Sequence, residues 1–194
     1  MPLNTIGEVV NCELEGRVKD YIWRKTPSQT TITGLWFDLS MSPGMPPPQY
    51  YIGGILTATQ LKQSTDGGFY YGTNVSPSER YLRKITTQAN VTTALPMNAI
   101  LCDYLLFYPF IDEGTTDQQD MININTLPRY TDGKGVQVMC VQTNAGTGGQ
   151  SFFFTYTNSD GVSGRTSRTV TMNTSTTVGN IVGSSTATDR KSVV

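Results

Sequence analysis

The strongest constraint on the fold lies between residues 136 and 173. "VQVMCVQT" (136–143), "SFFFTYT" (151–157) and "RTSRTVTMN" (165–173) are rich in β-branched and aromatic residues and are separated by "NAGTGGQ" and "NSDGVSG". Successive side chains of a strand point to opposite faces. Phe152, Phe154 and Tyr156 therefore share one face, and Phe153, Thr155 and Thr157 share the other. Loops of hairpin length rich in Asn, Asp and Gly suit tight antiparallel connections. The three runs are expected to form an antiparallel meander. Its aromatic strand would be central in a sandwich, and its Thr-rich strand would lie nearer an edge.

The rest of the chain reads consistently with that. "TTITGLWFDLS" (30–40) has strand composition, with Trp36 expected in the core. "MNAILCDYLLFYPFID" (97–112) is nearly continuous apolar sequence, as in a strand buried on both faces, with a bend at Pro109. Met121–Asn125 is a short extended piece. One helix is expected. In "VSPSERYLRKITTQ", Ser76 is a natural N-cap, Pro77 fits the first helical position and Glu79 completes a capping box. Tyr81, Leu82 and Ile85 form its apolar stripe, and Glu79 and Arg83 form a favourable i,i+4 pair. Arg80, Arg83 and Lys84 read as a solvated face. Residues 1–25 are either a short helix, with Ile6, Val9, Val10 and Leu14 at helical spacing, or an arm that docks elsewhere. Three consecutive prolines, 46–48, force an extended segment, either a surface connector or an arm on a neighbouring subunit. The expected fold is thus mainly β, an antiparallel β-sandwich or jelly-roll-like domain over 30–173. It carries one short helix near 77–88, extended N-terminal (1–29) and Pro-rich arms, and a low-complexity tail at 174–194.

The residue inventory narrows the chemistry. The chain has no histidine, which removes Ser-His-Asp and Cys-His mechanisms and the commonest metal ligand. Cys12, Cys102 and Cys140 are sparse and odd in number, which suits neither a disulfide framework nor zinc, and points to reduced thiols made in a cytosol. Residues 1–16 lack the pattern of a signal peptide. The longest apolar stretch, Ala99–Ile111, falls short of the ~20 residues of a membrane span and contains Asp103 and Pro109. Net charge is −1, without the basic excess of a nucleic-acid-binding face. Asp112, Glu113, Asp117 and Asp120 lie close together but do not follow the calcium-loop spacing, and read as a solvated acidic loop. "NAGTGGQ" lacks the ending of a phosphate loop. Tyr50, Tyr51, Tyr70 and Tyr71 could stack on sugars, but adjacent strand residues point apart, so each pair offers one ring per face.

Five stretches taken together carry a resemblance: "LWFDLSMSPGMPPPQYYIGG", "YYGTNVSPSERYLRKITTQA", "LCDYLLFYPFIDEGTTDQQ", "TLPRYTDGKGVQVMCVQ" and "FTYTNSDGVSGRT". In this order, over roughly residues 35–172, they resemble a family of structural proteins from the virions of tailed bacteriophages. The resemblance implies a non-enzymatic virion component made in the host cytoplasm, with no cofactor and no catalytic or metal-binding residues. Its expected place is the capsid exterior, as a decoration protein on the major capsid protein, β-rich and homo-oligomeric, with a trimer favoured. A tail, neck or fibre component and a host-glycan-binding module are the alternatives. Members of that family continue into further strand-rich sequence, so the chain is expected to be either a shortened member or a truncated one.

Composition fits an assembly subunit. Charged residues make up 15% of the chain, against a typical ~25%, and weakly charged strands leave edges that neighbours must cover. Trp and Tyr are favoured interface anchors. The candidate interface residues are therefore Tyr21 and Trp23 in the N-terminal segment and Pro46, Pro47, Pro48, Gln49 and Tyr50 in the Pro-rich arm.

Overall fold

The computed structural model describes residues 4–27, 35–62, 66–70, 72, 80–90, 98–146, 148–172 and 177–182. These residues form a mainly β protein, with short antiparallel strands grouped in small sheets and one α-helix.

That helix, α1, is Ile6–Leu14. Thr5 and Glu8 close a reciprocal capping box: the Glu8 amide donates to Thr5 Oγ1 at 3.3 Å, and Glu8 Oε2 accepts from the Thr5 amide at 2.8 Å. Gly16, at φ +66°, ends it in the left-handed conformation that glycine adopts without strain. Residues 80–90 hold no helix, so the expectation at 77–88 is corrected over its described part. An isolated short helix is marginal unless its apolar stripe is buried, and here Tyr81, Leu82 and Ile85 are 50%, 68% and 48% exposed. The capping residues Ser76, Pro77 and Glu79 lie outside the described residues.

The three-stranded sheet joins distant parts of the chain. Strand β2 (Trp36–Phe37) and strand β6 (Cys140–Val141) flank β11 (Asn180–Val182), all antiparallel, with Ile181 opposite both Trp36 and Val141. Its central strand thus comes from the segment expected to be tail. The sequence "GNIV" within that Ser/Thr-rich stretch supplies a turn glycine (Gly179, φ +90°) and two β-branched residues. Asn180 is fully buried, and its Nδ2 donates to Gln142 Oε1 at 2.8 Å. Trp36 is 46% exposed, a correction to its expected core position. In this two-residue strand Phe37 takes the inner face and Trp36 the outer.

Strand β1 (Arg24–Lys25) pairs with β3 (Gly44–Met45), and β4 (Thr59–Gln60) with β5 (Leu106–Phe107). Thr57 and Ile122 form a parallel bridge beside β4. The buried cluster of Met41, Tyr51 and Leu61, backed by Tyr104, Phe107 and Val141, lies where the three-stranded sheet meets the β4–β5 pair. Of the expected sandwich, this small contact between sheets is what the described residues contain. The run 97–112 is not buried on both faces. Leu105 and Pro109 are buried, but Ile100, Leu101, Phe110 and Ile111 are at least half exposed, because only two residues of the run join a ladder.

The aromatic run forms a bent hairpin. Strand β7 (Ser151–Phe152) pairs with β10 (Val170–Thr171), and β8 (Thr155–Tyr156) pairs with β9 (Arg165–Thr166). The expected alternation holds: Phe152, Phe154 and Tyr156 are half-buried, and their neighbours Phe153, Thr155 and Thr157 are exposed. The rings of Phe152 and Phe154 meet edge to face at 5.5 Å. The expected meander does not form, because β6 pairs with β11 and not with β7. No described residue from 148 to 172 is buried, so the aromatic strand is not central. Among the described residues, no helix is long and apolar enough to cross a membrane.

Candidate interaction surface

The two segments singled out in the sequence meet each other. The N-terminal residues 21–26 run alongside the Pro-rich arm through the β1–β3 pairing, which the Thr26 amide extends by donating to Pro43 O at 2.8 Å. Trp23 is half-buried. Its indole Nε1–H donates to Gly67 O at 2.9 Å, and its ring lies tilted on Phe69 at 5.0 Å. Tyr21 meets the same Phe69 edge-on at 6.0 Å. Gly67, at φ +68°, lets three stretches converge: a Cβ there would strike Ser40 O and crowd Gln49 N and Pro47 O.

The junction is centred on Lys25, which the sequence reading did not single out. Its ammonium donates to four backbone carbonyls: Pro46 O at 2.8 Å, Ser40 O and Ser42 O at 3.2 Å, and Pro47 O at 3.3 Å. It also sits 5.7 Å from the Trp23 ring centroid, within cation–π range. Burial pushes the Lys25 pKa down, and the charges of Asp38 and Asp66 push the other way. Burial likewise raises the carboxyl of Asp66, whose Oδ1 accepts the Gly68 amide at 2.9 Å. No local periodicity marks Lys25. The available hint was its place two residues after Trp23, in a chain whose prolines leave carbonyls free of strand partners.

The interface residues thus divide. Trp23, Pro46 and Pro47 are engaged within the chain. The Gln49 amide donates to Ser40 O at 3.0 Å, and Pro48 is half-buried. Tyr50 and Tyr21 remain 64% and 43% exposed. The Met45–Pro46 peptide is cis. Tyr50 and Tyr51 lie in no strand; Tyr51, at φ 49°, turns inward from the exposed Tyr50 through a left-handed backbone, and its hydroxyl donates to Asp38 in the core. Tyr70 is exposed, and Tyr71 lies outside the described residues. In the acidic loop, Asp112, Asp117 and Asp120 are exposed and Glu113 is half-buried. Asp112 Oδ1 accepts the Gly114 amide at 2.8 Å, and Asp120 Oδ1 accepts from Gln118 Nε2 at 2.6 Å, the bonds of an ordinary polar turn.

The junction brings together strand pairing, a ring of carbonyls around an ammonium, and aromatic and aliphatic side chains, all within the chain. Compared with known proteins, the chain matches no protein-family model, no curated protein and no solved structure.

Proposed function

We propose that the chain is a non-enzymatic structural subunit of a tailed-bacteriophage virion, a decoration protein on the capsid exterior that contacts the major capsid protein and other copies of itself. The observation that carries the proposal is the imbalance between core and surface. Among the described residues, Met41, Tyr51, Ala58, Leu61, Leu105 and Val182 are the buried hydrophobic ones, whereas Ile6, Leu14, Ile22, Met45, Ile52 and Ile124 are each at least 71% exposed. Isolated exposed apolar residues are ordinary, but so many beside so small a core mark surfaces that a partner covers. The hairpin at 150–172 adds to this, since a lone two-stranded hairpin is marginal in water. The order of the five sequence stretches supplies the virion. Such a subunit acts by burial: many modest contacts, each interface needing about 1,000 Å² to be specific, hold neighbouring shell proteins together.

The test is quantitative mass spectrometry of purified virions, with this chain counted against the major capsid protein. An abundance on the scale of the capsid protein supports a decoration role. A few copies per particle would move the chain to the tail or neck. Its absence from the particles would end the virion reading.

A further inference from the structure

Residues 21–26 behave as a plug in a receptor. The plug supplies the β1 strand, the Trp23 indole and the Lys25 ammonium. The receptor supplies the β3 edge, the carbonyls of Ser40, Ser42, Pro46 and Pro47, and the Gly67–Phe69 corner. The charges match, because Lys25 on the plug feels the charges of Asp38 and Asp66 on the receptor side.

Among the described residues, what precedes the plug is only lightly held by the body. No residue of α1 is buried; Val9 and Cys12 are half-buried, and Ile6, Val10 and Leu14 are 85%, 49% and 80% exposed. Its ion pair to the body, Arg83 to Glu13 at 2.9 Å, has both partners about half exposed, the kind of pair that adds little. Withdrawing the arm from its own body therefore sacrifices the plug contacts and not much else. Those contacts are regained in full on the identical receptor of another copy, which is what makes exchange of an element between protomers a low-cost route to assembly.

We propose that this receptor accepts residues 21–26 of a second copy of the chain, so that copies are joined by exchanged N-terminal arms. The exchange carries α1 onto the neighbour, where its open apolar stripe meets another copy's exposed side chains. The inference needs self-association alone, so its failure leaves the virion proposal standing, and the reverse also holds.

The test uses the full chain with Cys12, Cys102 and Cys140 changed to Ser, in two differently tagged forms, one Arg24→Cys and one Met45→Cys. These two positions face each other across the β1–β3 pair, where antiparallel spacing suits a disulfide. The forms are mixed under mild denaturant, returned to buffer and oxidised. The expected result is a disulfide-linked product carrying both tags, reduced at least tenfold when Lys25→Met is added to the Arg24→Cys form. A chain bearing both cysteines that links only within itself, with no two-tag product from the mixture, overturns the proposal. Should the cysteine variants not fold, the unaltered chain decides. In a mixture of differently isotope-labelled copies, a filtered nuclear Overhauser contact from the Trp23 indole proton to Gly67 between copies supports exchange. The same contact found only within a copy refutes it.

Discussion

The carboxylate of Asp38 is bonded to the hydroxyl of Tyr51 inside the core. Asp38 is 6% exposed and Tyr51 is 7% exposed, and the other carboxylate oxygen accepts the Ser40 amide at 2.9 Å. The pair links the 3₁₀ turn Leu39–Met41 to the irregular segment after the Pro-rich arm, so it sets the geometry of the Lys25 receptor. A buried carboxylate is tolerable only while its donors are in place. Changing Tyr51 to Phe keeps the ring against Phe107 and removes one donor. The expected cost is about 1–3 kcal/mol. It would be read as a lower urea midpoint with an unchanged slope. An unchanged midpoint would show that the bond contributes nothing net.

Alkaline pH should unfold the protein through its tyrosines. Burial, reinforced by the charge of Asp38, raises the hydroxyl pKa of both Tyr51 and Tyr104 well above the ordinary value of 10.0. In the unfolded chain the same groups ionise near that ordinary value. A group whose folded pKa is raised contributes its stability in full below the unfolded pKa and loses it as pH rises toward the folded one. The tyrosine contribution should therefore hold level up to about pH 9 and fall steadily beyond pH 10, with Tyr51→Phe and Tyr104→Phe each flattening that part of the fall; the buried Cys140 thiol, raised from 9.0 to about 12, adds a loss that begins near pH 9. Urea midpoints measured from pH 8 to 12, with tyrosinate absorbance recorded alongside, check this.

Much of the local pattern was legible in the sequence, while the pairing was not. The alternation at Phe152, Phe154 and Tyr156 follows from strand periodicity, whereas the inward turn of Tyr51 beside the exposed Tyr50 comes from a left-handed backbone at φ 49° outside any strand. Among the described residues, the helix that forms carries its capping box at Thr5–Glu8 in "TIGE". That signal was readable, and the N-terminal spacing had left helix open as one choice. What periodicity cannot give is which strand sits beside which. Cys140–Val141 is followed by a hairpin-length loop, but it pairs with Asn180–Val182, beside a buried Gln142–Asn180 side-chain bond that spans some forty residues. The convergence of Tyr21 and Trp23 with Pro46 and Pro47 is likewise tertiary. Both segments were legible as binding elements from their residue types, and nothing local said that they bind each other.

Cys140 should resist thiol reagents. Burial pushes its pKa up to about 12, and the thiolate is the reactive form. Cys102 is also raised, by burial and then by the charge of Asp38, but its side chain reaches solvent. At pH 8, labelling of Cys140 should run on the order of a hundredfold slower than that of Cys102, since it requires opening of the β6–β11 pairing. In denaturant the two rates should converge. Mass-spectrometric mapping of the labelled peptides over time measures both. Equal rates in the folded protein would show the Cys140 thiol to be as open to reagent as that of Cys102.

Lys25 should prove irreplaceable, by arginine as well as by apolar residues. Its four carbonyl partners, at 2.8 to 3.3 Å, come from both ends of the turn at residues 40–47 and converge on a point. An ammonium can meet that arrangement because it is a compact charge with three rotatable donors, whereas guanidinium presents a planar fork. Lys25→Met leaves the carbonyls without their donor and removes the cation beside Trp23. The expected loss is about 1.5–3 kcal/mol, the range for a hydrogen bond to a charged group, and Lys25→Arg should recover less than half of it. Because the Trp23 ring reports directly on this contact, its fluorescence should change in both variants before any global unfolding. Chemical denaturation monitored at once by Trp fluorescence and far-UV circular dichroism separates the two events. If Lys25→Arg matched the unaltered protein in both signals, the carbonyl receptor would be selecting charge alone and not the shape of the ammonium.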